Sequence, residues 1–425
     1  MKKSSAKKNT IAVIGLGYVG LPLAVELSKH YEVVGYDVCQ NRIKELLNND
    51  DVTGECSESE LLNMIRAGGV FSSDIDDISN ANIFIVTVPT PVMHDNQPDF
   101  RPLISASKAV GSCLEKNNIV IYESTVFPGA TEEICVPVLE EASGLVFRSD
   151  FYVGYSPERI NPGDKNNKLT NIVKVTSGCC KKSLDIIDGI YSKIITAGTY
   201  RAPSIKVAEA SKVIENTQRD INIAFMNEIS VLFRKMNIST KEVLEAASTK
   251  WNFLNFTPGL VGGHCISVDP HYLQSSAKSF NSELALVKHA RQINDNMPNF
   301  IVGDIKRSNA VKCGAKVLIK GVTFKENCPD LRNSKVIDIY LKLKEEGYFV
   351  DIYDPRVDST SFYNQFGIKL LKKISNELYD VIILAVAHEE FTSLSADAHK
   401  ANLIDGGLFY DLRSIYSKEE TDFQL

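Results

Sequence analysis

The chain has 425 residues, 44% hydrophobic and 24% charged, an ordinary globular composition long enough for two or three domains. Its formal net charge of −6 argues against a globally basic surface, so neither nucleic acid nor an acidic membrane is an expected partner. The 9 cysteines include no CxxC pair, which speaks against structural zinc or any other metal site, and an odd number in a chain this long speaks against a disulfide framework; a reducing cytoplasm is the expected setting.

The first residues, MKKSSAKKNT followed by an apolar run, imitate a signal peptide. The run instead carries glycines at motif spacing, then Pro22 and Glu26, with no small-residue cleavage pattern, so a first β-strand is expected. Lys2, Lys3, Lys7 and Lys8 read as a solvated tail. No other stretch offers the roughly 18 apolar residues of a membrane span.

Gly15-x-Gly17-x-x-Gly20, with Tyr18 and Val19 inside it, joins that strand to a helix, and Asp37 ends the next strand 17 residues after Gly20. In this context the pattern predicts a dinucleotide site: glycines admit a pyrophosphate to the backbone, and the helix N-terminus supplies N–H donors. Asp37 suits an adenosine ribose and would repel a 2′-phosphate, which favours NAD, although Arg42 nearby weakens that preference. Further strands are expected in EVVGYDV, NIFIVTVPTP, NIVIYESTVFPG and DFYVGYSPERINPG. Their alternation with helices predicts a parallel, doubly wound sheet. Thr90, Ser124 and Thr125 fall at strand ends, where ligands of such sheets collect. Glu158, in Ser156-Pro157-Glu158-Arg159-Ile160-Asn161, is a candidate acid/base group, but taken alone it reads as a surface carboxylate.

Residues 204–236 contain no proline or glycine and predict one helix of roughly 50 Å. Apolar residues on more than one face suggest burial between domains or subunits. Lys212 and Asn216 share a face. They could polarise an alcohol, or the lysine could snorkel to solvent. Next comes TPGLVGGHCISVDP, residues 257–270. His264 is poorly placed to deprotonate the adjacent Cys265, and Asp269-Pro270 reads as an N-cap and first helical residue. A helix starting there would favour a thiolate at Cys265, and an activated thiol beside a nicotinamide site suggests a covalent carbonyl intermediate. From about residue 311 the strand–helix alternation returns. Lys325, Asp330 and Arg332 follow the first strand there, with Arg413 later; their cations could hold phosphates or form interdomain salt bridges. The expected organisation is 1–200, a dinucleotide-binding domain; 201–300, a helical domain that pairs two copies; and 301–425, a second α/β domain.

GLGYVGLPLA, STVFPG, SPERINPG, the Lys212–Asn216 helix, GGHCISVDP and FKENCPDLR, in that order, resemble the UDP-glucose/GDP-mannose dehydrogenase family over nearly the whole chain. Within it the sequence is most similar to bacterial UDP-N-acetylhexosamine 6-dehydrogenases, above all the N-acetylglucosamine enzymes of capsule and O-antigen synthesis. The resemblance implies two Rossmann-like domains around a helical one, and NAD-dependent oxidation of C6 from alcohol to acid. It implies that Cys265 is the nucleophile, and that Lys212 and Asn216 stabilise the C6 oxygen. Asp269 and Thr125 would position water or the lysine, and Glu158 would act in acid/base chemistry. It also implies sugar-nucleotide contacts from Phe253, Leu254, Asn255, Gly259, Phe324 and Lys325, and a cofactor-side Arg332. His264 and Val268 depart from the glucose-type pattern and point to an N-acetylated sugar. UDP-glucose or UDP-N-acetylmannosamine oxidation, a single-step hydroxyacid dehydrogenase and a non-catalytic sugar-nucleotide binder are the alternatives.

Overall fold

The computed structural model describes residues 9–93, 97–160, 167–263, 265–308, 311–312 and 314–425. The chain forms two compact units. One runs to Glu215 and includes His271–Ser282; the other comprises Asn216–Pro270 and Glu283–Leu425.

The first unit is built on β1 (Thr10–Ile14), β2 (Glu32–Tyr36), β3 (Val70–Ser72), β4 (Ile83–Val86), β5 (Ile119–Tyr122), β6 (Tyr152–Tyr155), β7 (Lys174–Gly178) and β8 (Thr199–Arg201). Their order is β3-β2-β1-β4-β5-β6-β7-β8. The expected parallel sheet is present with one departure, the antiparallel pairing of β6 with β7. The apolar run after the lysine tail is β1, in the middle of the sheet. Its side chains alternate between two cores: Ile11 and Val13 join one layer, Ala12 and Ile14 the other. Both faces of the sheet are therefore covered, which is why β4 and β5 read as unbroken apolar runs, IFIV and IVIY. Strand order reverses between β1 and β4, and the crevice at such a switch point is where doubly wound sheets take ligands.

The second unit holds β9 (Lys316–Lys320), β10 (Phe349–Tyr353), β11 (Tyr379–Leu384), β12 (Leu403–Asp411) and β13 (Phe423–Gln424), all parallel in the order β10-β9-β11-β12-β13. Apolar-run patterning does not mark β3, β7, β8, β12 or β13. These are short, polar (KVTSG) or interrupted by glycine (LIDGGLFYD).

The long helix is present as Ile205–Met236, and the division between units falls inside it. Its polarity is inverted. Glu209, Lys212, Asn216, Asp220 and Asn227 are buried, whereas Val207, Ile214, Phe225, Leu232 and Met236 are exposed. At about 100° per residue the polar set spans an arc of about 80°, and the apolar set lies on the opposite side. Among the described residues no helix is long and apolar enough to cross a membrane.

The helix Gly20–Ser28 starts where only glycine fits: a Cβ on Gly20 would lie 1.8 Å from the Gly15 carbonyl oxygen, whereas one on Gly17 meets nothing within 4 Å. Gly20→Ala is expected to lower stability by about 2 kcal/mol or more and to weaken NAD binding. Gly17→Ala should keep the melting temperature. Equal melting temperatures for the two variants would refute this account.

Candidate active site

At the switch point of the first unit, the Thr87 hydroxyl donates to the carbonyls of Ile14 (3.0 Å) and Gly15 (2.7 Å), tying β4 to the glycine turn. Asp37 follows β2. Its Oδ2 accepts from the Leu16 N–H at 2.8 Å and its Oδ1 from the Cys39 N–H at 2.9 Å, so the carboxylate is fixed beside the turn. Tyr18 and Val19 lie in the turn, and Val19 immediately precedes the helix. Arg42 is buried, with Nε donating to Leu16 O at 2.9 Å and Nη2 to Asp51 Oδ1 at 2.7 Å. The structure therefore makes Arg42 a brace of the glycine loop. Its charge is matched by Asp51. The glycine turn, helix start and fixed carboxylate fit a dinucleotide.

Beyond β4, Tyr272 donates to Thr90 O at 3.1 Å, and Ser124 Oγ donates to Val88 O at 2.6 Å. Thr125 follows at the end of β5, half-buried. Glu209 of the long helix accepts from the N–H groups of Gly129 (2.5 Å) and Thr131 (2.9 Å), bracing the STVFPG segment.

Glu158 is not a surface group. It is buried, its Oε1 accepts from the N–H groups of Arg159 and Ile160, both at 2.6 Å, and its Oε2 accepts from Lys174 Nζ at 3.0 Å. The same ammonium donates to Glu123 Oε2 at 2.8 Å, and Tyr191 donates to the other oxygen of Glu123. One lysine thus serves two buried carboxylates. Burial works against all three charges. Lys174 and the backbone donors nevertheless hold Glu158 below the usual carboxylate range. Glu123 is pushed up to about 7 by burial, against the pull of Lys174 and reinforced by the charge of Glu158. The two carboxylates keep the Lys174 ammonium above its ordinary value. Sequence reasoning missed Lys174, Tyr191 and Glu209 and gave Glu123 no role. The available signal was a lysine at the start of a buried strand, in NIVKVTSG. Arg159 pairs with Glu215.

In the second unit the cysteine segment docks by backbone. Gly263, at φ +81°, donates to Arg332 O at 3.2 Å, and Asn333 Nδ2 donates to Gly263 O at 2.9 Å. A Cβ on Gly262 would stand 2.5 Å from Asn333 O, and one on Gly263 2.8 Å from the Phe324 ring. Cys265, half-buried, follows directly, and its carbonyl accepts from the N–H groups of Val268 and Asp269. Asp269 opens the helix Asp269–Ser279 as its first residue, where an N-cap was expected; the residue is fully buried, and its Oδ2 accepts from Asn216 Nδ2 at 2.5 Å. Lys212 is buried, which rules out the snorkelling alternative.

A shallow cleft in this unit is lined by Leu260, Gly262, Phe324, Lys325, Lys335 and Arg413, among others. Gly259 is held by Asn227 through both N–H (2.8 Å) and C=O (3.0 Å), and its α-carbon faces the Arg413 guanidinium. Arg332 is clamped by Asp330, with Nε 3.0 Å from both carboxylate oxygens. Phe253, Leu254 and Asn255 do not line this cleft; they form a loop on which Leu254 is exposed. Asn161 and His264 lie outside the described residues, as does the lysine tail.

Three profiles of the UDP-glucose/GDP-mannose dehydrogenase family match in succession: its NAD binding domain over residues 9–195, its central domain over 206–296 and its UDP binding domain over 318–418. The chain is 49% identical to UDP-N-acetyl-D-glucosamine 6-dehydrogenase of Salmonella typhi over 98% of both chains. It is equally identical to the protein of that name from Pseudomonas aeruginosa, covering 98% of this chain and 99% of that one. Among solved structures, the UDP-D-ManNAc dehydrogenase of Pyrococcus horikoshii superposes with a TM-score of 0.88 at 30% identity, over 98% of each chain.

The raised carboxylates carry a pH signature. A group whose folded pKa exceeds its unfolded one adds stability below the unfolded value and loses it as pH rises through the folded value. For Glu209, pushed up to about 7 by burial from 4.5, the loss is on the order of 3 kcal/mol. The melting temperature should fall between pH 5 and 8, and Glu209→Gln should flatten that fall in a fluorimetric scan. Parallel curves would refute the assignment.

Proposed function

This chain belongs to the UDP-glucose/GDP-mannose dehydrogenase family and is an NAD-dependent nucleotide-sugar dehydrogenase, and from that premise we propose that it oxidises C6 of UDP-N-acetylglucosamine to the uronic acid. The observation that carries the reading is the buried Asn216–Asp269 hydrogen bond, which fixes the long helix to the helix immediately following Cys265. The choice of sugar is supported by the 49% identity to two N-acetylglucosamine 6-dehydrogenases. UDP-N-acetylmannosamine is the second reading, favoured by the Pyrococcus structure at lower identity.

The backbone of Gly15, Gly17, Tyr18, Val19 and Gly20 together with Asp37, and Thr90 and Ser124 as further contacts, would hold NAD, which would supply the hydride acceptor in both oxidations. Lys212 and Asn216, one helical turn apart, hold the C6 oxygen, and Lys212 takes the alcohol proton. The Cys265 thiolate adds to the C6 aldehyde, so that the intermediate stays attached as a thiohemiacetal. Its oxidation leaves a thioester on Cys265. Water adds to the thioester carbon, the C–S bond breaks, and the carboxylate and the thiol are released. Asp269 and Thr125 orient water or the lysine. Glu158, bound by Lys174 and two N–H groups, is an anion that fixes the Arg159–Ile160 backbone and serves in acid/base chemistry. Phe324, Lys325 and Arg413, which line the cleft, hold the nucleotide sugar.

A second copy of the chain is the partner we assign to the exposed apolar stripe of the long helix, a pairing through the segment 201–300 that follows the 1–200 dinucleotide module and precedes the 301–425 sugar-nucleotide module. The setting is the cytoplasm, where NAD and UDP-sugars meet, and the activated uronic acid serves as a donor for surface polysaccharide of the capsule or O-antigen kind.

Turnover should yield about two NADH per UDP-sugar, and Cys265→Ser should lower acid formation by about 10³-fold or more; one NADH with free aldehyde would defeat the thioester route. Among UDP-N-acetylglucosamine, its galacto and manno epimers and UDP-glucose, the first should give the highest kcat/KM. Phe225→Asp combined with Leu232→Asp should halve the mass seen by light scattering; an unchanged mass would remove the stripe from the interface.

A further inference from the structure

The Phe324–Lys325 edge of the cleft is fixed by a residue that does not line it. His388, just beyond β11, is fully buried. Its Nδ1 lies 3.0 Å from the Asn327 N–H, which donates to it. A ring nitrogen that accepts carries no hydrogen, so the hydrogen-bond network assigns the proton of the neutral ring to Nε2. Nε2 in turn faces Asp354 Oδ2 at 3.1 Å and Thr323 Oγ1 at 3.2 Å. The Thr323 hydroxyl gives its own hydrogen to Lys325 O at 2.8 Å, leaving its oxygen to accept. Asp354 Oδ2 also accepts from the Val322 N–H at 2.7 Å. Asn327, at φ +59°, completes the clip by accepting from the Glu389 N–H at 3.0 Å through Oδ1. One imidazole thus grips the Thr323–Asn327 turn at both ends, with Phe324 and Lys325 between them.

We propose that His388 is a positioning residue for nucleotide-sugar binding: through its Nδ1 acceptor and Nε2 donor it holds the Thr323–Asn327 turn in the shape that presents Phe324 and Lys325 to the cleft. This rests on reading the cleft as the UDP-sugar site. The two faces of the ring can be tested separately. In His388→Asn the amide oxygen falls near the place of Nδ1 and retains the acceptor for Asn327. In His388→Gln the amide reaches the place of Nε2 and meets Asp354, but the acceptor for Asn327 is lost. Both are polar and smaller than the ring, so one serves as the folding control for the other.

Steady-state kinetics should show His388→Gln with KM for the UDP-sugar raised about tenfold, the equivalent of one lost buried hydrogen bond. Its kcat and KM for NAD should stay within about twofold of the parent, and His388→Asn should stay within about threefold in all three. Equal KM values in the two variants, or a fall in kcat without a change in KM, would overturn the proposal. If the parent protein oxidises no UDP-sugar, the proposed activity fails and the Kd for UDP, measured by calorimetry on the same proteins, decides the His388 role. A weakening confined to His388→Gln supports it, and equal Kd values end it.

Discussion

Cys265 is placed by the close approach of its chain segment to the Arg332–Asn333 loop. Gly262 and Gly263 let the cysteine segment lie directly against residues 332–333, where any side chain would meet Asn333 O or the Phe324 ring. Two hydrogen bonds, from Gly263 N–H to Arg332 O and from Asn333 Nδ2 to Gly263 O, then fix the segment two residues before Cys265. Glycine has no side-chain rotamers to lose on docking, so the only side chain ordered by these two bonds is that of Asn333. The chain continues into a turn closed by the Cys265 carbonyl and then into the helix that Asp269 opens against Asn216. Because the Arg332–Asn333 segment belongs to the same loop as Phe324 and Lys325, Cys265 and the Phe324–Lys325 edge of the cleft share one support, and His388 is hydrogen-bonded to that loop at Thr323 and Asn327.

The first unit solves a different problem, that of keeping charges in place away from water. Lys174 lies between Glu123 and Glu158, and removing one partner of such a group typically costs about 3–5 kcal/mol because the others are left buried and unmatched. With one cation for two carboxylates, repulsion and burial drive a single proton onto the less well-solvated carboxylate. Glu158 has two N–H donors in addition to the lysine and stays ionised; Glu123, with Tyr191 and the lysine, is the one that rises. The Glu158 anion is thereby anchored at both oxygens, which sets the course of the Arg159–Ile160 backbone.

How much of this could be read from the sequence follows from the distance between partners along the chain. The glycine turn before the helix Gly20–Ser28, the helix that carries Lys212 and Asn216, and the helix start at Asp269-Pro270 are legible because each motif encodes its local geometry within a short span. The cluster around Lys174 is not, since Glu123 lies 51 positions away. Glu209 reaches its loop across 80 positions, and His388 reaches Asn327 across 61. A buried charge announces itself in sequence only as a polar residue inside an apolar run, and that pattern does not say which partner it meets. Asp269-Pro270 marks the helix start locally, but that the Asp269 carboxylate meets Asn216, 53 positions earlier, is not legible from it.

The long helix shows why its amphipathicity misleads. Its buried arc carries Glu209, Lys212, Asn216, Asp220 and Asn227, and most of these have definite partners. Glu209 braces the Gly129–Thr131 segment, Asn216 meets Asp269, Asp220 pairs with Arg291 at 2.6 Å, and Asn227 holds Gly259. A polar stripe of this kind is tolerable inside a protein only when nearly every group is hydrogen-bonded, because each unmet group costs about 1–3 kcal/mol. The apolar stripe on the other side has the opposite need. Val207, Ile214, Phe225 and Leu232 share one face of the helix, exposed to water, and at about 25 cal/mol per Å² of apolar area such a stripe favours being covered. An inverted helix is therefore stable when the inward face is saturated by polar partners and the outward face is matched by a second apolar surface. A second copy offers the same stripe at no further demand on the sequence, since a two-fold axis makes one patch complementary to itself.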